Sequence, residues 1–184
     1  MAQYIPFAPN VQVLGTTVLS FVNALKVATI RKDMLQTLSR HGITEPTLEN
    51  WYSQAAWLNA FKEIGEKYGA TTLFAIGKAI PENAMFPPEI DSLQKGLAAI
   101  DVAYHMNHRG GEIGYYKLLE FHEGTKTALM ECKNPYPSEF DRGIISAMAH
   151  KFRPMDILVI DVELDKNSPT RLNGADSCRF KISW

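Results

Sequence analysis

The spacing of the apolar residues changes at Gly110-Gly111, and that change constrains the fold more than any motif does. Before it, apolar residues recur at three- and four-residue steps, which is the repeat of a helix face; after it they fall into runs and alternations that suit extended backbone. Over residues 14–41, Val18, Phe21, Val22, Leu25, Ala28 and Leu35 keep the helical step, with Val27, Ile30, Met34 and Leu38 beside them. The spacing predicts one long helix with a wide apolar face, capped by Thr16 or Thr17 and ended by Gly42 in the left-handed region. Ser53 opens a second helix through Ala56, Leu58, Phe61 and Ile64, stopping near Tyr68-Gly69. A shorter segment over residues 71–80 is closed by Pro81, and Pro87-Pro88 precede a fourth helix carrying Ile90, Leu93, Leu97, Ile100 and Ala103 on one face.

The second half reads differently. Residues 112–121 and 125–132 are rich in Tyr, Leu, Phe and Thr, and His122-Glu123-Gly124 between them reads as a tight hairpin turn. Asn134-Pro135-Tyr136-Pro137 breaks that pattern. Ser138, with Asp141 three residues on, resembles a capping box for a helix through Ile144, Ile145, Met148 and Phe152. Residues 155–164 form a strongly apolar strand, residues 165–176 a polar loop, and residues 177–184 place Cys178, Phe180, Ile182 and Trp184 on one face. The expected class is α+β, with N-terminal helices packed on an antiparallel sheet in the order αααα-ββ-α-ββ. A chain of 184 residues is expected to form a single domain, 1–184.

Composition excludes some functions. With 19 Lys+Arg against 20 Asp+Glu the chain has no electrostatic footprint for a polyanion, so no nucleic-acid partner is expected. No stretch approaches the length of a membrane span, and Met1-Ala2-Gln3-Tyr4-Ile5-Pro6 does not read as a secretory signal, so a cytoplasmic location is expected. Cys132 and Cys178, the two cysteines, read as free thiols in a reducing compartment. The nucleotide, zinc-protease and esterase classes lack their signatures, since no Gly-x-Gly-x-x-Gly, phosphate loop, His-Glu-x-x-His or Gly-x-Ser-x-Gly occurs.

Two segments carry a resemblance. The helix start Ser138-Glu139-Phe140-Asp141-Arg142-Gly143-Ile144 and the ending Gly174-Ala175-Asp176-Ser177-Cys178-Arg179-Phe180-Lys181-Ile182, of the form Gly-x-x-x-Cys-x-Phe-x-Ile, resemble the 4-vinyl reductase domain and the related ligand-binding fold of the TRAPP vesicle-trafficking subunits. The resemblance implies a helical layer on an antiparallel sheet, a homodimer, and a cavity between layers for hydrocarbons, aromatic compounds, acyl chains or tetrapyrroles. Aromatic-sensing regulators of that group hold a zinc with three Cys and one Glu. Glu163 and Cys178 match two such positions, but Ser138 stands where a Cys belongs and Leu164-Asp165-Lys166-Asn167 supplies none, so no zinc of that type is expected.

The remaining chemistry concentrates in Tyr104-His105-Met106-Asn107-His108-Arg109. On a continued helix His105 and His108 lie on adjacent parts of one face, able to meet a metal, a haem or the polar end of a ligand. Alternatively they cap the helix C-terminus, where imidazole and guanidinium meet the negative end of the dipole. Haem is one candidate cofactor, through Met106 and the histidines, although no haem-attachment motif is present. Trp51 and Trp57 are candidate pocket walls while Phe61 reads as core. Tyr115 and Tyr116 point to opposite faces of their strand, and Tyr116 is assigned to the pocket. Cys132, close to a helix start, offers thiol chemistry or simply a small buried hydrophobe. Asp161, Glu163 and Asp165 share one face of a strand and read as solvated. The candidate binding set is therefore Trp57, Tyr104, His105, Met106, His108 and Tyr116. The function expected is a non-enzymatic sensor or carrier for a small apolar or tetrapyrrole ligand, signalling through a separate partner protein. The alternatives are an enzyme acting on a hydrophobic or tetrapyrrole substrate and a ligand-free assembly adaptor.

Overall fold

A computed structural model describes residues 3–24, 27–82 and 84–184. The elements run β1 (Gln12–Leu14), α1 (Gly15–Asn23), α2 (Ala28–Arg40), β2 (Trp51–Ser53), α3 (Gln54–Tyr68), α4 (Ala70–Glu82), α5 (Leu93–Met106), β3 (His108–Arg109), β4 (Tyr115–His122), β5 (Thr127–Lys133), α6 (Ser138–Lys151), β6 (Asp161–Leu164), a 3-10 turn at Arg171–Asn173, and β7 (Cys178–Ser183). The α+β class and the antiparallel sheet are as expected; the order of elements is richer. Three short strands make a separate antiparallel sheet, β2-β1-β3, while the larger sheet runs β4-β5-β7-β6.

The large sheet follows from alternation. Ala128, Met130 and Cys132 on β5 pair with Ile182, Phe180 and Cys178 on β7, and all six are buried. Period-2 spacing on both strands therefore builds one continuous inner face. Across it lies α6, buried along most of its length from Phe140 to Ala149. On its other side α6 crosses α4 so closely that a Cβ on Gly77 would overlap the Phe140 carbonyl, and one on Gly143 the Phe74 carbonyl. The buried residues of both halves join in a single apolar core.

Several boundaries move. The helix expected over residues 14–41 is two helices. Val27 takes extended backbone as the N-cap of α2 and is 49% exposed, which lets α1 pack on α4 and α2 on α3. Leu25 lies outside the described residues. Neither threonine caps α1: Thr16 Oγ1 donates to the Leu48 carbonyl (3.1 Å) and Thr17 Oγ1 to Asn107 Oδ1 (3.1 Å). Gly42 does take the left-handed region (φ 83°), and Ser53 Oγ does cap α3, accepting from Ala56 N–H (3.4 Å). Pro81 sits inside the last turn of α4 instead of closing it. The N-cap of α6 is Pro137, not Ser138, whose hydroxyl turns inward to Cys178 Sγ (3.1 Å).

Only the end of the run 155–164 is strand. A turn joins Ile157 N–H to the Pro154 carbonyl, and the buried Ile157 and Ile160 are spaced as in a turn. Asp161 and Glu163 are solvated as expected, but Asp165 is buried, accepting from Ser168 Oγ (2.7 Å) and pairing with Lys181 Nζ (2.9 Å). No helix among the described residues is long and apolar enough to cross a membrane.

Candidate ligand cavity

A cavity of about 110 Å³ lies among α4, α5, α6 and β4, with Thr17 of α1 at one side. Its walls are aliphatic and aromatic. Ile100 and Tyr104 come from α5, Tyr116 from β4, Tyr136 from the loop after β5, and Phe140, Ile144 and Met148 from successive turns of α6. Those α6 residues lie on one face because they repeat at four-residue steps.

His108 is the buried polar group of the wall, and its proton is fixed by its neighbours. Its Nδ1 lies 2.8 Å from the Tyr104 carbonyl, which can only accept, so Nδ1 carries the hydrogen. Its Nε2 therefore accepts from the Tyr136 hydroxyl (2.6 Å). Tyr136 Oη accepts in turn from Gln54 Nε2 (3.3 Å), giving a single direction of donation from α3 through Tyr136 to His108. Burial pulls the His108 imidazole down to about 4, so it is neutral near pH 7, while burial pushes the Tyr136 hydroxyl up.

The other two wall tyrosines are also committed. Tyr104 Oη donates to the Ile113 carbonyl (2.5 Å) and Tyr116 Oη to Asp141 Oδ1 (2.6 Å). Behind Tyr116, Asp141 pairs with the buried Arg171, which also donates to Asn134 Oδ1 (2.6 Å) and the Tyr136 carbonyl (2.7 Å). Burial pushes the Asp141 carboxyl up, and the guanidinium, the Tyr116 hydroxyl and the Asn134 amide oppose it. This network holds the loop carrying Tyr136 against the sheet.

Of the six candidates, Tyr104, His108 and Tyr116 meet at the cavity. His105 does not: it points outward, with Nδ1 against the Asp101 carbonyl (2.9 Å). Met106 is 71% exposed beyond the end of α5. The chain leaves helical geometry at Asn107, so His105 and His108 diverge instead of sharing a face. Trp57 is core, packed among Phe21, Phe61 and Tyr136. Trp51 lies under the Arg109 guanidinium (4.2 Å) and away from the cavity. Sequence reasoning missed Tyr136, taken only as part of a loop; a tyrosine held between two prolines was the available signal. It missed Thr17 and Asn107 because the first turn of α1 and the end of α5 meet there only in three dimensions. Both thiols are buried, and burial together with Asp141 pushes Cys132 up, away from the thiolate that nucleophilic chemistry needs.

In sequence the chain matches no family model and no curated protein. In structure it is similar to H-NOX proteins. A variant of one from S. oneidensis, in the Fe(II) ligation state, gives a TM-score of 0.69 at 11% identity, with 92% of this chain and 95% of that one covered. One from K. algicida, Fe(II) and unliganded, gives 0.63 at 13% identity over 92% and 95% of the two chains. A third, from work probing haem distortion in the H-NOX family, gives 0.64 at 16% identity over 92% and 94%. These likenesses overturn the expected kinship with 4-vinyl reductase domains and TRAPP subunits. The residues behind that expectation serve local packing: Cys178, Phe180 and Ile182 are the inward positions of a half-buried strand, and Gly143 is a helix contact. Such features recur wherever a helix lies on an antiparallel sheet. At identities this low the likeness shows the fold alone, and that fold is the one seen in H-NOX proteins.

Proposed function

We propose that this domain is a ligand-binding sensor module that takes a small, uncharged, largely apolar molecule into the cavity between α4, α5 and α6. The observation that carries the reading is the cavity itself, with aromatic and aliphatic walls and a neutral histidine. Its volume, about 110 Å³, is close to the roughly 150 Å³ of an engineered protein cavity that binds benzene. A ligand there would touch α1, α4, α5, α6 and β4 together, so filling the cavity bears on how both halves pack.

The structural neighbours are described with Fe(II) and with haem, which makes haem the first cofactor to weigh. The residues around this cavity do not fit it. Pockets for ligands of drug size or larger usually run to about 300–1,000 Å³. An axial donor needs a free lone pair and, for tyrosine, a lost proton, but His108 Nε2 accepts from Tyr136, and burial keeps the Tyr104 hydroxyl protonated on the Ile113 carbonyl. Haem carboxylates want cations, yet among the described residues no Lys or Arg lines the cavity, and Arg171 is committed to Asp141.

Thermal denaturation and calorimetry with toluene, alongside a haem titration, test the reading. Toluene should raise the midpoint as its concentration rises, because a ligand that binds the folded state stabilises it by mass action. Ala103→Phe, which fills the cavity, should abolish that rise. A Soret band saturating at one haem per chain, and shifted by His108→Ala, would replace this reading with a haem-binding one. Indifference to both would move it to the ligand-free assembly role.

A further inference from the structure

The cavity wall is polar and open to a new partner at one corner, where α1 meets the end of α5. There Thr17 Oγ1 donates its proton to Asn107 Oδ1 (3.1 Å), and Asn107 Nδ2 donates one hydrogen to the Ala103 carbonyl (2.8 Å). A threonine hydroxyl has lone pairs beyond its single proton, and an amide nitrogen has two hydrogens. Among the described residues the corner thus retains one acceptor, Thr17 Oγ1, and one donor, the second hydrogen of Asn107 Nδ2. Among the described residues the rest of the wall offers no open donor, since His108 Nδ1–H goes to the Tyr104 carbonyl and the protons of Tyr104, Tyr116 and Tyr136 go to Ile113, Asp141 and His108, so the corner pairs an open donor with an open acceptor where the others do not.

We infer that the ligand of this cavity is a one-ring alcohol of the phenol class, its hydroxyl donating to Thr17 Oγ1 and accepting from Asn107 Nδ2. The inference rests on the reading of the cavity as a ligand site and narrows it. Three features on the wall agree. Among the described residues no Lys, Arg, Asp or Glu lines the cavity, so a carboxylate or ammonium would be desolvated without a counter-charge from them. The volume suits a single ring. Tyr104, Tyr136, Phe140 and the thioether of Met148 surround that space, and rings and sulfur favour an aromatic guest. One hydroxyl satisfies both open positions of the corner, whereas a hydrocarbon leaves both unused.

Phenol and toluene have the same number of heavy atoms and differ only in the group that would reach the corner. Calorimetric titration of each into the wild-type chain and into Thr17→Val is the test. The expected result is a loss of about three- to tenfold in phenol affinity in Thr17→Val, the effect of one net hydrogen bond, with toluene affinity unchanged or improved. As a check that needs no variant, phenol should shift the Asn107 side-chain amide resonances of the wild-type protein and toluene should leave them in place. If toluene binds but Thr17→Val weakens both ligands equally, or phenol leaves the amide unmoved, the hydroxyl assignment is overturned and the cavity reading stands. If neither compound binds the wild-type chain, the cavity reading falls and takes this inference with it.

Discussion

His108 sits between an acceptor that demands a proton and a donor that supplies one, and that arrangement suits only the neutral ring. A protonated imidazole would point an N–H at a tyrosine already donating to it, inside an apolar wall. Burial accordingly holds the group at about 4, against 6.5 for an unperturbed histidine. The linkage follows from those values. Between pH 6.5 and 4 the unfolded chain binds a proton that the folded chain refuses, so stability falls as pH drops through that window and the contribution levels off below it. The loss is on the order of 3 kcal/mol, at 1.36 kcal/mol for each pH unit. Urea denaturation of wild type and His108→Gln across pH 4 to 7 measures it, since glutamine can still accept from Tyr136 but does not titrate. A shallower dependence in the variant is expected; the same slope in both proteins would show that another group controls it. At this scale the sequence was half legible. It marked the stretch around Tyr104 and His108, but the donation that reaches His108 Nε2 runs from Gln54 through Tyr136, 54 and 28 positions away, and no local pattern records it.

Elements were legible where their ends carry chemistry of their own. Gly42 and Ser53 gave the end of α2 and the start of α3 because a left-handed residue and a side-chain cap act within a few positions. The break between α1 and α2 was hidden, since an apolar run continues through it and the choice of two packing partners is tertiary. The strands β1, β2 and β3, at two or three residues each, are too short to show alternation. Glycines inside helices are a further case, because there they carry a cost of about 1 kcal/mol relative to alanine and need a compensating reason. For Gly77 and Gly143 the reason is the contact between α4 and α6, where each backbone occupies the space of the other's Cβ. Intrinsic propensity predicts that Gly143→Ala stabilises by about 1 kcal/mol. The crossing predicts the opposite, a destabilisation of about 1–3 kcal/mol or more as the helices are forced apart. Thermal denaturation decides between them, and a raised midpoint would mean that the two helices can separate freely.

For the whole molecule, the class was readable and the kinship was not. Helical spacing followed by alternation is enough to set helices on an antiparallel sheet, and several families share that outcome. What separates them is which helix lies against the sheet and what space the layers leave, and both depend on contacts far apart in sequence. Here α5 packs over β4 and α6 over β6, and the cavity is the gap left between these helices, α4 and β4. Met148 closes one side of that gap and is itself buried, so it sets the volume and helps hold the layers together. Met148→Ala should therefore act in two directions at once. Stability should fall by about 2–5 kcal/mol, the usual cost of removing a buried methionine side chain beside space that cannot collapse. The larger cavity should also admit a bicyclic guest such as indole, and saturating indole should return part of the lost stability while leaving the wild-type midpoint unchanged. Melting both proteins with and without indole measures each effect. An equal rise in the two would place the guest elsewhere on the molecule, and no rise in the variant would mean that the layers close over the missing side chain.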